Sequence, residues 1–365
     1  MNEARISGKP ASLAAAAERA GEILSAARMP VIAGLGTDVA GARASILLAE
    51  RLRGAYDHMH STQIFADLDV MRQAGLMFTT ANEARLRADV FVFVGKDLTK
   101  IWPAMMARLS PADIPPFDLA REPRKLLWIA PGRGDAKVEG LAVQTLDASD
   151  LHAALAALRA RAAGRPVNCA KSMRRKLDEF AEVLKNARFG VAVWGGDSLD
   201  GLSIEMLHGL IRDLNKTTRF SGLPLGCDSN AAGVVQTSGW MTGFPVRTSF
   251  GRGFPEHDTW RFDAMRMIES GEADAALWIS AYRPEPPQWT KNIPLVALAS
   301  PQTAFAQEPE VCVEVGCPGI DHDGAEFSRA TASIVARKAS HPSQAPSVAA
   351  IIGEIAKHLG GNASC

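Results

Sequence analysis

The chain has 365 residues, of which 40 are Lys or Arg and 40 are Asp or Glu, so its formal net charge is zero. Proteins that coat nucleic acid or a membrane surface depend on a large positive field, and this balance excludes both classes. Hydrophobic residues make up 47% of the chain and charged residues 22%, as in globular proteins that bury a core. Disorder is therefore excluded as the main state. The zero net charge favours a component of a larger complex, because it removes the repulsion that keeps lone proteins dispersed.

The sequence contains no membrane-span pattern and no metal-binding cysteine pattern. No stretch reaches the 18 or more consecutive apolar residues of a membrane span, and no compact apolar signal segment follows the first residues. We therefore expect a cytoplasmic protein. The cysteines lack the paired short spacings of zinc or iron–sulfur sites, so we expect plain thiols at Cys169, Cys227, Cys312, Cys317 and Cys365.

Helices and strands alternate from the start of the chain. Residues 12–28 are Ala-rich and begin with Ser12, which predicts a helix with a serine N-cap. Short apolar runs at 30–34, 89–95 and 125–130 end in glycine or are followed by a Pro-Gly pair, which is typical of buried strands. This order predicts a parallel sheet covered by helices.

The same order recurs in the second half, at 190–197, 273–280 and 294–298. The repeat predicts an α/β fold of two similar Rossmann-like parallel-sheet lobes. Residues 226–255 fit neither repeat, are rich in Gly, Pro, Asn and aromatics, and predict a long functional or contact loop. We therefore divide the chain into a first lobe (1–150), a basic helical connection (151–178), a second lobe (179–340) and a C-terminal helix and tail (341–365).

Residues 151–177 contain no Asp or Glu. Two interpretations remain open for the cations in this stretch. They form a solvated helix face, or they form a patch for an anionic partner or polyanionic ligand. The residues concerned are Arg159, Arg161, Arg165, Lys171, Arg174, Arg175 and Lys176.

The first glycine loop does not match a dinucleotide-binding fingerprint. Gly34 and Gly36 supply the first two glycines, but Val39 stands where the third is needed for close helix–strand packing. No phosphate loop or H-E-x-x-H pair occurs, and Ser61 has no recognisable catalytic partner. Nicotinamide-cofactor binding, phosphate-loop chemistry and triad hydrolysis are therefore not expected.

Polar residues follow the predicted strands, where α/β folds bind ligands. For Asp38, Asp97 and Asp197 we expect helix capping. Lys96 and Arg283 are cations near helix N-termini, which the helix dipole does not explain. These two are therefore the candidates for ligand contact.

An ordered series of motifs resembles the B-type subunit of formylmethanofuran dehydrogenase, a molybdopterin oxidoreductase, over about residues 25–340. The resemblance implies two α/β lobes like the central domains of that family, holding a tungsten- or molybdenum-pterin. The matching segments are Asn230–Gly233, Gly239–Pro245, Arg252–Pro255, Gly271–Leu277, Glu83–Val90 and Pro318–Phe327.

The sequence departs from that family at its redox centres. It lacks both an N-terminal cysteine cluster for a [4Fe–4S] centre and the cysteine or selenocysteine that ligates the metal. By the resemblance, Met59 stands at the ligand's place, and a thioether is a poor substitute for a thiolate. The resemblance also matches His60 to a histidine that follows that ligand, and Arg247 to an arginine that lines the active site. We therefore expect no catalytic residues, no bound metal, and a vestigial cofactor cavity comprising His60, Arg247, Asn230, Lys96 and Arg283.

One branch of the family has this character, the formyltransferase/hydrolase complex of methylotrophic bacteria. It moves a formyl group from formyl-tetrahydromethanopterin to a methanofuran analogue and releases formate, with both active sites on other subunits. The resemblance implies a non-catalytic scaffold, chiefly for the hydrolase-like subunit. The analogue carries a poly-glutamate tail, for which the basic stretch is a candidate.

Two alternatives from other classes stay open. One is an active metal-pterin dehydrogenase subunit whose metal is held by His58 or His60, or by no protein ligand, with no cluster nearby. The other is a stand-alone protein that binds a small molecule in the cleft between the predicted lobes. Metal content separates the first from the scaffold, and behaviour as a lone monomer separates the second.

Overall fold

The computed structural model describes residues 4–109, 124–132, 142–195 and 199–359. Cys365 and the expected cap Asp197 therefore lie outside the described residues. The strands are β1 (Ala4–Ile6), β2 (Lys9–Ala11), β3 (Pro30–Gly36), β4 (Ala55–Tyr56), β5 (Val90–Val94), β6 (Lys125–Ile129), β7 (Val143–Leu146), β8 (Gly190–Trp194), β9 (Phe220–Pro224), β10 (Thr248–Ser249), β11 (Glu256–His257), β12 (Ala275–Ser280), β13 (Leu295–Ala299), β14 (Val311–Glu314), β15 (Gly324–Ser328) and β16 (Ser333–Arg337).

The helices lie between these strands and cover the sheets, so the expected α/β class with parallel sheets is confirmed. In the described part of the chain, no helix is long and apolar enough to cross a membrane. The helices are α1 (Leu13–Ala26), α2 (Val39–Leu52), α3 (Ser61–Ala74), α4 (Ala81–Arg87), α5 (Leu98–Ile101), α6 (Met105–Leu109), α7 (Leu151–Ala162), α8 (Lys171–Lys185), α9 (Gly201–Leu214), α10 (Ala231–Thr242), α11 (Ala264–Ser270) and α12 (Val348–Lys357).

The chain forms two compact units that are discontinuous in sequence. Unit 1 contains residues 1–61, 228–327 and 334–365, and unit 2 contains residues 62–227 and 328–333. The sequential division into lobes 1–150 and 179–340, with 151–178 as a connection and 341–365 as a tail, therefore differs from the structure. The physical reason is strand pairing: β3 pairs with β12 in one sheet, and hydrophobic pattern identifies buried strands without revealing their partners.

Unit 1 is built on a nine-stranded sheet in the order β11-β10-β4-β3-β12-β13-β14-β1-β2. Its five central strands, from β4 to β14, are parallel, whereas the pairs at both edges are antiparallel. The central strands follow the doubly wound order 2-1-3-4-5. The direction of winding changes between β3 and β12, and ligands of such folds bind outside the carboxyl ends of the strands at that point.

Unit 2 is built on a five-stranded, wholly parallel sheet in the order β7-β6-β5-β8-β9. Counted along the chain this order is 3-2-1-4-5, so winding changes direction between β5 and β8. Phe91, Phe93 and Trp128 pack on one face of the sheet, and Leu158, Leu177 and Leu184 belong to the core of the other. The two sheets therefore share the doubly wound principle but differ in strand order.

Local signals fix the ends of several helices. Ser12, as expected, accepts a hydrogen bond from the backbone of Ala15 and begins α1. Asp38 likewise accepts from the backbone N–H of Gly41 at the start of α2, so the capping predicted for it is confirmed. Asp97 lies at the N-cap position of α5 in a left-handed conformation, but its side chain makes no capping bond. That expectation was wrong, because Asp97 pairs instead with Lys100, at 2.6 Å.

The segment 226–255 is not one long loop. It contains α10 and β10, and β10 pairs with β4 on one side and β11 on the other. Asn230 and Gly243 take left-handed conformations at the two ends of α10, which explains how a segment rich in Asn and Gly bounds a helix rather than excluding one.

Candidate functional site

In unit 1, polar residues gather at the carboxyl ends of β3 and β12. Thr37 and Asp38 follow β3 and are almost completely buried, and Ser280, at the end of β12, is 1% exposed. Tyr282 follows it, and the pKa of its hydroxyl is raised by burial and then by the carboxylates of Glu326 and Asp38. The winding-change point is thus lined by neutral hydroxyls beside two acids.

Arg247 lies in a buried cluster with two carboxylates. Its Nη2 contacts Asp263 Oδ2 at 2.5 Å and its Nε lies 3.4 Å from Asp57 Oδ2. Nε also donates to Ser61 Oγ, at 3.1 Å, and Nη1 donates to the carbonyl of Thr259, at 2.6 Å. Every nitrogen of the guanidinium group therefore has a partner inside unit 1.

Asp57 completes this cluster. Its carboxylate accepts hydrogen bonds from Ser61 Oγ (3.0 Å) and from the backbone N–H groups of His58 (2.8 Å) and Ala264 (3.2 Å). Burial raises the pKa of Asp57 to about 7, although Arg247 opposes the rise. The sequence did not identify Asp57 or Asp263 as partners of Arg247, and it found none for Ser61. An aspartate pattern alone does not reveal which acid meets which base.

His58 and His60 follow β4. The backbone N–H of His60 donates to His58 Nδ1 at 3.0 Å, so Nε2 carries the proton and donates to the carbonyl of Ser229 at 3.2 Å. Burial and then His60 lower the pKa of His58 to about 3. His58 is thus a neutral imidazole with both nitrogens engaged. The buried Nε2 of His60 has no hydrogen-bond partner among the described residues.

Asn230 and Arg283 are also bound within unit 1. Asn230 Nδ2 donates to the carbonyl of Thr37 and its Oδ1 accepts from the backbone of Phe327, both at 2.9 Å. Arg283 pairs with Asp228 at 2.9 Å and keeps a side chain that is 56% exposed. Asn230 therefore ties two loops together, and Arg283 is the more accessible of the two.

The five residues assigned to the cofactor cavity do not all belong to one unit. His60, Asn230, Arg247 and Arg283 lie in unit 1, whereas Lys96 lies in unit 2. There Lys96 follows β5 at the winding-change point and is exposed.

The donor chemistry of unit 1 does not fit the metal of a metal-pterin cofactor. Met59 offers a thioether, and a side-chain carbon added at Gly36 would meet its terminal methyl at 3.0 Å. His58 has no free nitrogen, because both of its ring nitrogens are hydrogen-bonded. Among the residues that the structure describes, no group of three or more His, Cys, Asp or Glu is placed to hold a metal ion. Burial raises the pKa of Cys312 and Cys317, which favours the neutral thiols, and the unpartnered Nε2 of His60 is a single imidazole donor. The described residues of unit 1 therefore do not supply the soft anionic sulfur that such a metal takes.

The basic stretch of unit 2 separates into paired and exposed cations. Arg159 pairs with Asp213 at 2.7 Å and Arg161 with Asp178 at 2.6 Å. Arg175 lies 3.5 Å from Glu179, and Lys176 donates to the carbonyl of Thr145. The remaining three, Arg165, Lys171 and Arg174, are exposed.

Comparisons with known proteins place these features in context. No protein-family model matches the chain. The chain is 36% identical over 344 residues, 93% of its length, to the B-type subunit of the formyltransferase/hydrolase complex Fhc of Methylorubrum extorquens, and covers 92% of that protein. It is 27% identical over 348 residues to the B-type subunit of the tungsten-containing formylmethanofuran dehydrogenase 2 of Methanocaldococcus jannaschii, covering 90% of this chain and 78% of that protein.

The fold agrees with a solved structure over nearly all of both chains. The X-ray crystal structure of the formyltransferase/hydrolase complex FhcABCD from Methylorubrum extorquens, in complex with methylofuran, contains a chain with a TM-score of 0.87 and 35% identity. The match covers 98% of each chain. The likeness therefore extends through both units.

Proposed function

Because the chain belongs to the family of the B-type subunits of the formyltransferase/hydrolase complex, we propose that it is a non-catalytic scaffold subunit of such a complex. The assembly transfers a formyl group from formyl-tetrahydromethanopterin to a methanofuran analogue and releases formate. Its partners are the other subunits, chiefly the hydrolase-like one. The M. extorquens complex, whose structure contains methylofuran, supports assigning a methanofuran analogue to the assembly.

The observation that carries the proposal is a match over nearly the whole length of the relative, combined with a site whose central cation, Arg247, is already bonded within unit 1. The relative aligns over 92% of its own length, so the chain spans nearly a full subunit of that kind. By contrast, Arg247 bonds to Asp57 and Asp263 within unit 1. The buried His60 Nε2 has no partner among the described residues, and it is the group that the experiment below removes. A catalytic base or electrophile needs a group that can reach substrate, and Arg247 has none to spare.

The chemistry of hydrolysis explains why redox ligands are dispensable. Releasing formate by hydrolysis transfers no electron, so the chain requires neither a metal-pterin nor a [4Fe–4S] cluster. We propose that the chain binds neither, because Met59 offers a thioether where such a metal takes a soft anionic sulfur. The contacts with neighbouring subunits remain necessary, and the fold is retained for them.

The same proposal assigns the exposed part of the basic stretch to an anionic coenzyme. Lys171 and Arg174 lie in the first turn of α8, whose N-cap residue Ala170 makes no side-chain cap. Positive charge near a helix N-terminus opposes the helix dipole, so these cations do not serve helix stability. They are suited to attracting a poly-glutamate tail. Reversing Arg174, Arg175 and Lys176 to Glu should weaken retention of the coenzyme in the purified complex.

The decisive experiment compares loss of the chain with loss of its His60 imidazole. The complex is assembled with wild-type chain, with His60→Ala, or without the chain, and formate release from formyl-tetrahydromethanopterin is measured alongside gel filtration. We expect His60→Ala to assemble and release formate at the wild-type rate, and omission to leave the hydrolase-like subunit unassembled. Formate release abolished by His60→Ala in an intact complex would overturn the proposal.

A further inference from the structure

Two adjoining cavities open on one face of unit 2. The larger, of about 720 Å³, lies where α7, α8 and α9 end, since Ala162, Lys185 and Leu214 all line it. The smaller, of about 310 Å³, is lined by Leu76, Met77, Glu205, His208 and Arg212 among others. Arg159 lines both cavities. We call the surface formed by the two cavities the Arg159 face.

Cations outnumber carboxylates on this face. The charged residues of the larger cavity are Arg159, Arg165, Lys185 and Lys216 against the single acid Asp213, and the smaller adds Arg212 and Glu205. Cations at helix C-termini offset the helix dipoles, but each end carries only about −0.5 charge. Lys185 also lies 3.7 Å from Glu182, so the five cations face three carboxylates and the net charge is +2. The three helix ends offset about 1.5 of it. The face therefore remains positive.

Arg159 is held in a defined position between the cavities. Its Nε donates to Asp213 Oδ2 at 2.7 Å, and Lys216 and Arg159 lower the pKa of that carboxyl below its ordinary value. Its guanidinium lies against Gly209, where an added side-chain carbon would meet Nη1 at 2.2 Å. A glycine at this position of α9 thus leaves the space that the guanidinium occupies.

The rest of the face is apolar. Ala156, Ala160, Leu214 and Met206 line the larger cavity. Beside the smaller one, Met77 is 49% exposed, and Phe78, whose ring packs edge-on to His208, is 45% exposed. Methionine adapts its shape to different partners, and exposed apolar surface of this kind marks contact sites. A small anion would leave these side chains in water.

We propose that the Arg159 face docks a segment of a partner protein that carries carboxylates around one or two large apolar side chains. Charge complementarity selects the acids, and the cavities accept the apolar anchors. The proposal rests on the proposed function only in requiring that the chain has protein partners. It names the chemistry of those partners at a surface distinct from Lys171 and Arg174 in the first turn of α8.

The test measures binding of labelled synthetic peptides to the purified full chain by fluorescence anisotropy, at low and high salt. The probe combines Glu with Leu anchors, and the reference peptide contains Glu only. We expect the probe to bind the wild-type chain. The double variant Arg165→Glu, Lys185→Glu should bind the probe at least about tenfold more weakly. The matched control Lys125→Glu, Arg188→Glu carries the same charge change on exposed residues elsewhere in unit 2 and should bind within about twofold of the wild type.

A second variant tests geometry without changing charge. Gly209→Ala should displace Arg159 and weaken probe binding several-fold, while circular dichroism remains that of the wild type. Equal binding of the Glu-only peptide, or equal loss in the matched control, would show that charge alone governs binding and would overturn the proposal. The assay needs neither partner subunits nor formate release, so its failure is distinguishable from failure of the scaffold role.

Discussion

The carboxyl edge of the sheet in unit 1 and the Arg159 face of unit 2 use charge in opposite ways. In unit 1, Arg247 meets two carboxylates, and each nitrogen of its guanidinium has a partner. On the Arg159 face, five cations face three carboxylates, Asp213, Glu205 and Glu182, and several of the cations reach solvent. A charged group that is saturated internally stabilises the fold, whereas one left in excess is available to a partner.

The largest expected effect comes from breaking the saturated cluster. Arg247→Met leaves the buried Asp57 and the partly exposed Asp263 without their cation, and should lower the free energy of unfolding by about 3 kcal/mol. Arg283→Met is the matched control, because Arg283 is a mostly exposed cation of the same unit paired with Asp228. It should cost under about 1 kcal/mol. Urea unfolding of both variants measures the difference.

Equal losses in the two variants would contradict the contrast. They would mean that Arg247 contributes no more to the fold than a surface ion pair does. The left-handed backbone conformation of Arg247, with φ of 58°, does not affect this comparison, because Met carries a Cβ as Arg does and bears the same strain. The variant Arg247→Lys keeps the charge and isolates the loss of the forked geometry.

Asp67 of unit 2 provides a second test, because its carboxyl group is bonded to a neutral donor rather than to a cation. Asp67 accepts a hydrogen bond from Trp194 Nε1 at 2.9 Å, and burial raises its pKa to about 6. Between pH 4 and pH 6 the folded state holds more protons at Asp67 than the unfolded state does, so stability falls as pH rises through this window. In Asp67→Asn this dependence should disappear.

Between pH 4 and pH 6, the free energy of unfolding of the wild type should fall by about 1–2 kcal/mol more than that of the variant. Urea midpoints at a series of pH values measure it. Asn keeps an acceptor for Trp194, so the variant should fold at every pH tested. A parallel pH profile for the two proteins would show that the Asp67 carboxyl is not buried in the folded state.

The smallest expected effect is an increase in stability on reversing a charge of the basic stretch. Arg174→Glu places a favourable charge in the first turn of α8 and should raise stability by about 0.3–1 kcal/mol. Arg161→Glu, in the same basic stretch, should lower it instead, because Arg161 pairs with Asp178 at 2.6 Å. Thermal unfolding of the two variants compares them. Loss of stability in both would place Arg174 among the structural cations.

The sequence was sufficient for local structure but not for assembly of the sheets. Ser12 marked the start of α1, and apolar runs located β3, β5 and β6 to within a few residues. The pairing of β3 with β12 joins residues more than two hundred positions apart, and no periodic pattern encodes such a contact.

The candidate site of unit 1 was predictable only where local sequence or resemblance identifies a residue. Arg247 and His60 could be named by resemblance, and Asp38 by its capping position. The partnership of Arg247 with Asp57 and Asp263 depends on long-range packing, as does the contact of Arg159 with Gly209. Sequence patterns give residue types at an element's end, but the charge balance of a site depends on which side chains the fold brings together.

The most direct test of the scaffold role is native mass spectrometry of the tagged chain purified from its own host. We expect an assembly with hydrolase-like and formyltransferase-like subunits and no tungsten- or molybdenum-pterin mass on this chain. A chain that is recovered alone, or that carries a metal-pterin, would contradict the scaffold role.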